Sequence, residues 1–201
     1  MRGWKWSVID RYVDALDDVM DVGCGDLSFW EGRDCQRYIG LDLSKSVLQA
    51  NRRRRPRWSF ICADAAQPLR VRARIVLCMD VLFHVLDESR FQAILRNLSA
   101  YTGQWLFVGT WNRNPRARGL SPVQSVFRTR GRTGGALFLA AHPLQLIRST
   151  VRGHSFGLHQ RYEELEASFD VFLETGLRFV AVHPSPLDDG INAVYVFQRQ
   201  A

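Results

Sequence analysis

Seven short apolar runs, at 19–22, 38–43, 58–62, 75–79, 105–109, 178–183 and 193–198, alternate along this chain with segments of helical spacing. Each run has the length of a buried strand and is bounded by polar or turn residues. Between them, Val8, Tyr12, Ala15 and Leu16 recur at three- and four-residue intervals in 7–16, and Phe91, Ile94, Leu95 and Leu98 do so in 87–101. Ser44 and Asp87 stand where helix caps are needed, and Gly176 where a helix over 162–176 would stop. Strand and helix in alternation predict an α/β fold, a mostly parallel sheet covered by helices on both faces with right-handed crossovers. With 201 residues, 46% of them hydrophobic, the chain fills one core and is too short for two, so residues 1–201 are expected to form a single domain.

Ligands of such a sheet bind at the carboxyl ends of its strands. The first end reads "VMDVGCGDLSFW" over residues 19–30, a glycine turn flanked by acids. Glycines there let backbone approach a ligand closely, but the third glycine of a dinucleotide fingerprint would fall at Ser28, and the lysine of a phosphate loop is absent. A carboxylate two positions before Gly23 repels phosphate and favours a cation, so Asp21, Gly23 and Gly25, with Cys24 between the glycines, suit a ligand carrying an ammonium group. The second run ends on Asp42 and Leu43, 19 residues beyond Gly23 for the acid, where a carboxylate accepts both hydroxyls of a ribose. The third ends in "CADA", placing Asp64 and Ala65 against an amino purine edge, and the fourth in "CMDVLFHV", with Met79 and Asp80 at its tip. Acids for an ammonium, a ribose and an aminopurine together describe S-adenosylmethionine.

With these four motifs in order, the chain resembles a class I S-adenosylmethionine-dependent methyltransferase over residues 5–110, and by layout alone over 162–199. The resemblance implies a Rossmann-like, seven-stranded sheet whose last strand runs antiparallel. It also implies that Asp21, Gly23, Gly25 and Asp26 line the methionine side, Asp42 and Leu43 the ribose, Asp64 and Ala65 the adenine, and Met79 with Asp80 the floor near the sulfonium. About fifteen residues separate Gly23 from the second strand, so the first crossover helix is expected to be short or distorted.

Several of these residues carry a plainer reading as well. Asp42 and Asp80 can cap the helical segments after them, Asp26 can satisfy the turn, and His84 can be a core histidine. As a functional group, His84 is the first candidate for a general base, four residues beyond Asp80. His159 and Tyr162, where the chain rejoins the sheet, are candidates on the acceptor side or members of a surface loop. Trp4 and Trp6 either cover the ligand or pack on the sheet.

The net charge of +7 has one source. Residues 112–161 hold nine arginines and no acid, while the rest of the chain is close to neutral. The segment is too long for a plain connection and is expected to be a basic substrate lid inserted after the fifth strand. Such a lid fits an anionic acceptor: a small molecule, a sugar or glycan, or a lipid-linked precursor met at a membrane surface through "ALFLAAHPLQLI". The expected activity is methyl transfer to an oxygen or nitrogen of that acceptor. Two alternatives are an RNA methyltransferase, with the arginines on phosphates, and a non-catalytic binding protein on the same fold. Four scattered cysteines with no CxxC pair point to reduced thiols, not to a disulfide framework or a zinc site. Without a secretion signal or a long apolar stretch, a cytoplasmic location is expected.

Overall fold

The computed structural model describes residues 1–112, 165–188 and 190–200. The expected lid, with His159 and Tyr162, lies outside the described residues but for Asn112. Seven strands form one sheet: β1 (Asp18–Val22), β2 (Arg37–Asp42), β3 (Ser59–Cys62), β4 (Ala73–Met79), β5 (Thr102–Trp111), β6 (Leu177–Pro184) and β7 (Asn192–Arg199). Their order is β3-β2-β1-β4-β5-β7-β6, with β7 antiparallel to both of its neighbours and every other pairing parallel. The alternating pattern predicts the mostly parallel part of this sheet, and the resemblance its seven strands with the last one antiparallel.

β1 and β4 lie at the centre, and both are buried almost throughout, as parallel strands covered on two faces are. On one face, α3 (Glu88–Tyr101) and α4 (Phe169–Glu174) pack Phe91, Leu95, Leu98 and Phe172 against Met20, Val22, Val76 and Phe197. On the other, Trp6, Trp30, Leu48 and Trp58 cover Val19, Ile75, Leu77 and Val196. α2 (Lys45–Arg54) starts at Ser44, whose hydroxyl accepts the Val47 N–H, and α3 at Asp87, whose carboxylate accepts the Arg90 N–H.

The N-terminal helix departs from the expected 7–16. α1 spans Arg2–Ile9, and the chain then turns through Asp10. Arg33 binds both carboxylate oxygens of Asp10, at 2.7 and 2.6 Å, and Tyr12 leaves the helix to place its ring beside Trp105 and Phe107. The helix expected over 162–176 also begins later among the described residues: a 3₁₀ turn over Leu165–Ser168 leads into α4, and Gly176, at φ +82°, follows its end.

The first crossover is indeed reduced, to a 3₁₀ turn at Ser28–Trp30. α1 supplies the missing cover. Trp6 stacks on Phe29 at 4.7 Å and donates its indole N–H to the Phe29 carbonyl, while Arg2 donates to the Ser28 carbonyl. Trp30 is thereby fully buried, a burial worth roughly 4 to 6 kcal/mol as an upper bound.

Candidate functional site

β1 ends where Gly23 turns the chain. At φ +77° its backbone is left-handed, its N–H donates to the Leu41 carbonyl, and a Cβ there would lie 2.2 Å from Val81 Cγ2. Only glycine fits. The turn is then tied to the next strand: Gly25 N–H donates to Asp42 Oδ2 at 3.0 Å, and Ser44 N–H to Asp42 Oδ1 at 2.8 Å. Both oxygens of Asp42 are thus oriented by backbone, each with a further lone pair to offer.

A second clamp comes from α2. Asn51 is 1% exposed and donates its side-chain N–H to the Gly25 carbonyl at 2.7 Å. Sequence reasoning missed this residue, although its signal is present: Asn51 lies one turn after Leu48, on the buried face of a helix otherwise polar.

Around this turn opens a cavity of about 550 Å³. Of the predicted residues, it brings together Gly23, Asp42, Leu43, Asp64, Ala65, Asp80 and His84. Leu41, Val81, Val85 and Ile94 add an apolar wall, and Leu43 and Leu86 form a rim that is 65% and 55% exposed. Asp64 accepts the Ala66 N–H and pairs with Arg90 at 2.6 Å, an arginine that also lines the cavity and that sequence reasoning did not single out. Asp80 sits at φ +62°, uncommon for a residue with a side chain, and pairs with Lys5 at 2.5 Å. His84 ends a 3₁₀ turn over Leu82–His84 and is exposed. Asp87 lines the mouth, its carboxyl held below its ordinary range by the Ser89 hydroxyl and the Arg90 N–H.

The other predicted residues that the structure describes are not among those lining the cavity. Asp21 is corrected most sharply. Its side chain is 3% exposed, and Oδ2 accepts both the Trp30 indole N–H at 2.7 Å and the Tyr38 hydroxyl at 2.9 Å. The reason is strand alternation: Asp21 shares its face of β1 with Val19, on the side of Trp30 and Tyr38. Burial lifts its pKa to about 6 against the pull of those two hydrogen bonds. Cys24 is buried against Gly40, and burial pushes its thiol well above the ordinary range. Gly25 acts through its N–H and carbonyl, Asp26 is exposed and accepts the Ser28 N–H, and Met79 is buried beside Gly109. Among the described residues no cluster of His, Cys, Asp or Glu could hold a metal ion, and no helix is long and apolar enough to cross a membrane.

The donor set selects its ligand. Four acids and one arginine around an apolar wall disfavour a pyrophosphate and suit a nucleoside with a cationic tail. Residues 19–103 match the methyltransferase domain family. The ubiquinone biosynthesis O-methyltransferase of Leptothrix cholodnii is 31% identical over 121 residues, covering 54% of this chain and 51% of that protein. The chain therefore spans about half the length of such relatives. Among solved structures, the magnesium protoporphyrin IX methyltransferase of Synechocystis PCC 6803 with bound S-adenosylhomocysteine superposes with a TM-score of 0.66 at 14% identity, over 99% of this chain and 83% of the other. The O-methyltransferase NcsB1 of neocarzinostatin biosynthesis, in complex with S-adenosylmethionine and 2-hydroxy-5-methyl naphthoic acid, does so with 0.56 at 18%, over 92% and 49%. Over residues 19–103 the chain is thus similar to methyltransferase domains, and its sheet order and strand-end pocket are those of a Rossmann-like α/β fold.

Proposed function

We propose that this protein transfers a methyl group from S-adenosylmethionine to an oxygen or nitrogen of an anionic acceptor, a small molecule, sugar or lipid-linked compound, with a hydroxyl oxygen first among them. The observation that carries the reading is the convergence of Gly23, Asp42, Asp64, Asp80 and His84 on one cavity. The oxygen preference is supported by the similarity to O-methyltransferases, and the anionic acceptor by the nine arginines of 112–161.

When bound, the cofactor supplies an electrophilic methyl carbon on a positively charged sulfur. The residues of this chain then have three tasks. Asp42, its plane fixed by Gly25 and Ser44, accepts the ribose hydroxyls. Asp64 and Ala65 hold the adenine edge, with Arg90 keeping the Asp64 carboxylate in place. Asp80 faces the cationic end of the ligand, and His84 accepts the proton of an acceptor hydroxyl. Alignment of nucleophile and methyl in a cavity shielded from water contributes much of the rate in such a displacement.

Calorimetric titration with S-adenosylmethionine and, separately, NADH tests the cofactor, on the wild-type protein and on Asp42→Ala. Binding of the first alone, lost in the variant, is expected. Absence of S-adenosylmethionine binding would sink the proposal and favour a binding protein on the same fold. Incubation with radiolabelled cofactor and hydroxylated aromatic acids, 2-hydroxy-5-methyl naphthoic acid among them, then reads methyl transfer.

A further inference from the structure

The glycine turn and the strand-end acids account for the cavity, and leave one charged group unexplained. Lys5 lies in the middle of α1, between residues that pack on the sheet, and is 1% exposed. An ammonium is placed in such a position only with a partner, because its desolvation is costly. Its partner is Asp80, at 2.5 Å, and the pair is lopsided: the lysine side chain is 2% exposed and that of the aspartate 50%. One end is sealed in the core and the other faces the cavity.

The surroundings are built for this contact. Asp80 adopts a left-handed backbone, φ +62°, with its N–H on the Gly109 carbonyl at 2.9 Å. Residues in that region persist where neighbours over-determine them, which is a mark of functional sites. Gly109 of β5 borders the lysine and leaves room for Met79: a Cβ there would collide with Met79 Sδ at 2.7 Å and lie in ordinary contact with Lys5 Nζ at 3.5 Å. On the other side, Val81 packs into the space that Gly23 leaves open, so the Asp80 segment is also locked to the glycine turn. A carboxylate at a strand tip, half in solvent, has rotational freedom that a cation fixed from the buried side removes.

We propose that Lys5 is a positioning residue, whose buried ammonium aims the Asp80 carboxylate into the cavity and couples helix α1 to occupancy of the cofactor site. The inference rests on the reading of the cavity as an S-adenosylmethionine site. Lys5 touches no substrate and acts through Asp80 alone.

A double-mutant cycle tests it, with calorimetric titration of S-adenosylmethionine into wild type, Lys5→Met, Asp80→Asn and the double variant. Methionine fills the volume of the lysine stem without its charge. Each single change is expected to weaken binding about tenfold, as loss of a charge-assisted hydrogen bond does, and the double variant to bind no more weakly than the weaker single. Losses that multiply would overturn the proposal, as would wild-type affinity in Lys5→Met. If wild type itself binds no S-adenosylmethionine, the proposed function falls first; if wild type binds and Lys5→Met binds equally, only the role of Lys5 falls. Hydrogen exchange on the unaltered protein is the second readout, free of any folding defect. Saturation with S-adenosylhomocysteine is expected to protect residues 2–9 together with 79–84, and protection confined to 79–84 would overturn the coupling to α1.

Discussion

The indole N–H of Trp30 is 2.7 Å from Asp21 Oδ2, which makes a carboxylate of the first strand part of the aromatic core and not of the cavity. Tyr38 reaches the same oxygen, and the Trp30, Tyr38 and Trp58 rings pack edge to face and stacked around it.

Asp21 therefore carries a pH signature. Unfolded, it titrates near 3.8; folded, burial raises it to about 6. Between those values the unfolded chain has released a proton that the folded one retains, so the contribution of Asp21 to stability declines as pH rises from about 4 to 6 and stays low above that. Asp21→Asn keeps an oxygen for both donors and removes the titration. Its stability relative to wild type is expected to increase by about 2 to 3 kcal/mol between pH 4 and pH 7, read from urea unfolding at several pH values. A difference that stays flat with pH would contradict the assignment.

Gly23 and Val81 form a lock between the first and fourth strand ends. A Cβ at Gly23 would overlap Val81 Cγ2 at 2.2 Å, in a left-handed backbone that disfavours any side chain. Gly23→Ala is expected to cost about 2 to 4 kcal/mol, the sum of overpacking and backbone strain. Adding Val81→Ala relieves the overlap and not the strain, so it should recover part of the loss in thermal unfolding. A double variant no more stable than Gly23→Ala would show that the contact is not the source of the cost.

The strand ends were legible because two regularities coincide there: an apolar run long enough for a strand, and an acid at its tip. That pattern carries Asp42, Asp64 and Asp80 to the cavity. It fails for Asp21, which stands one residue before the end of β1, whereas Asp42 is the last residue of β2; the two-residue alternation with Val19 assigns Asp21 to the face of Trp30 and Tyr38, and that alternation is itself visible in the sequence. Lys5 was illegible for a different reason, since its partner lies 75 residues along the chain. The early end of α1 rests on the same kind of distant contact, Arg33 on Asp10. Local spacing reports which face a residue takes and is silent on what waits there.

Asn51 offers a test of how the glycine turn is held. Its amide is buried and donates to the Gly25 carbonyl at 2.7 Å. Asn51→Leu keeps the volume and leaves that carbonyl unsatisfied, at an expected loss of about 1 to 3 kcal/mol in stability. Because Gly25 N–H also orients Asp42, affinity for S-adenosylmethionine should fall about three- to tenfold in calorimetric titration. Unchanged affinity with reduced stability would restrict Asn51 to a folding role.

His84 separates binding from chemistry. It lines the cavity as the exposed last residue of a 3₁₀ turn whose Leu82 and Phe83 are buried, with its ring 4.5 Å from that of Phe83. Phe83 in turn contacts Trp111, so the turn is braced against the end of β5. His84→Asn preserves polarity and much of the size while removing the imidazole nitrogen placed to accept a proton. For a hydroxyl acceptor, turnover is expected to fall about a hundredfold to ten-thousandfold, with the affinity for S-adenosylmethionine unchanged. A variant with wild-type turnover would remove His84 from proton transfer and leave alignment alone to drive the reaction.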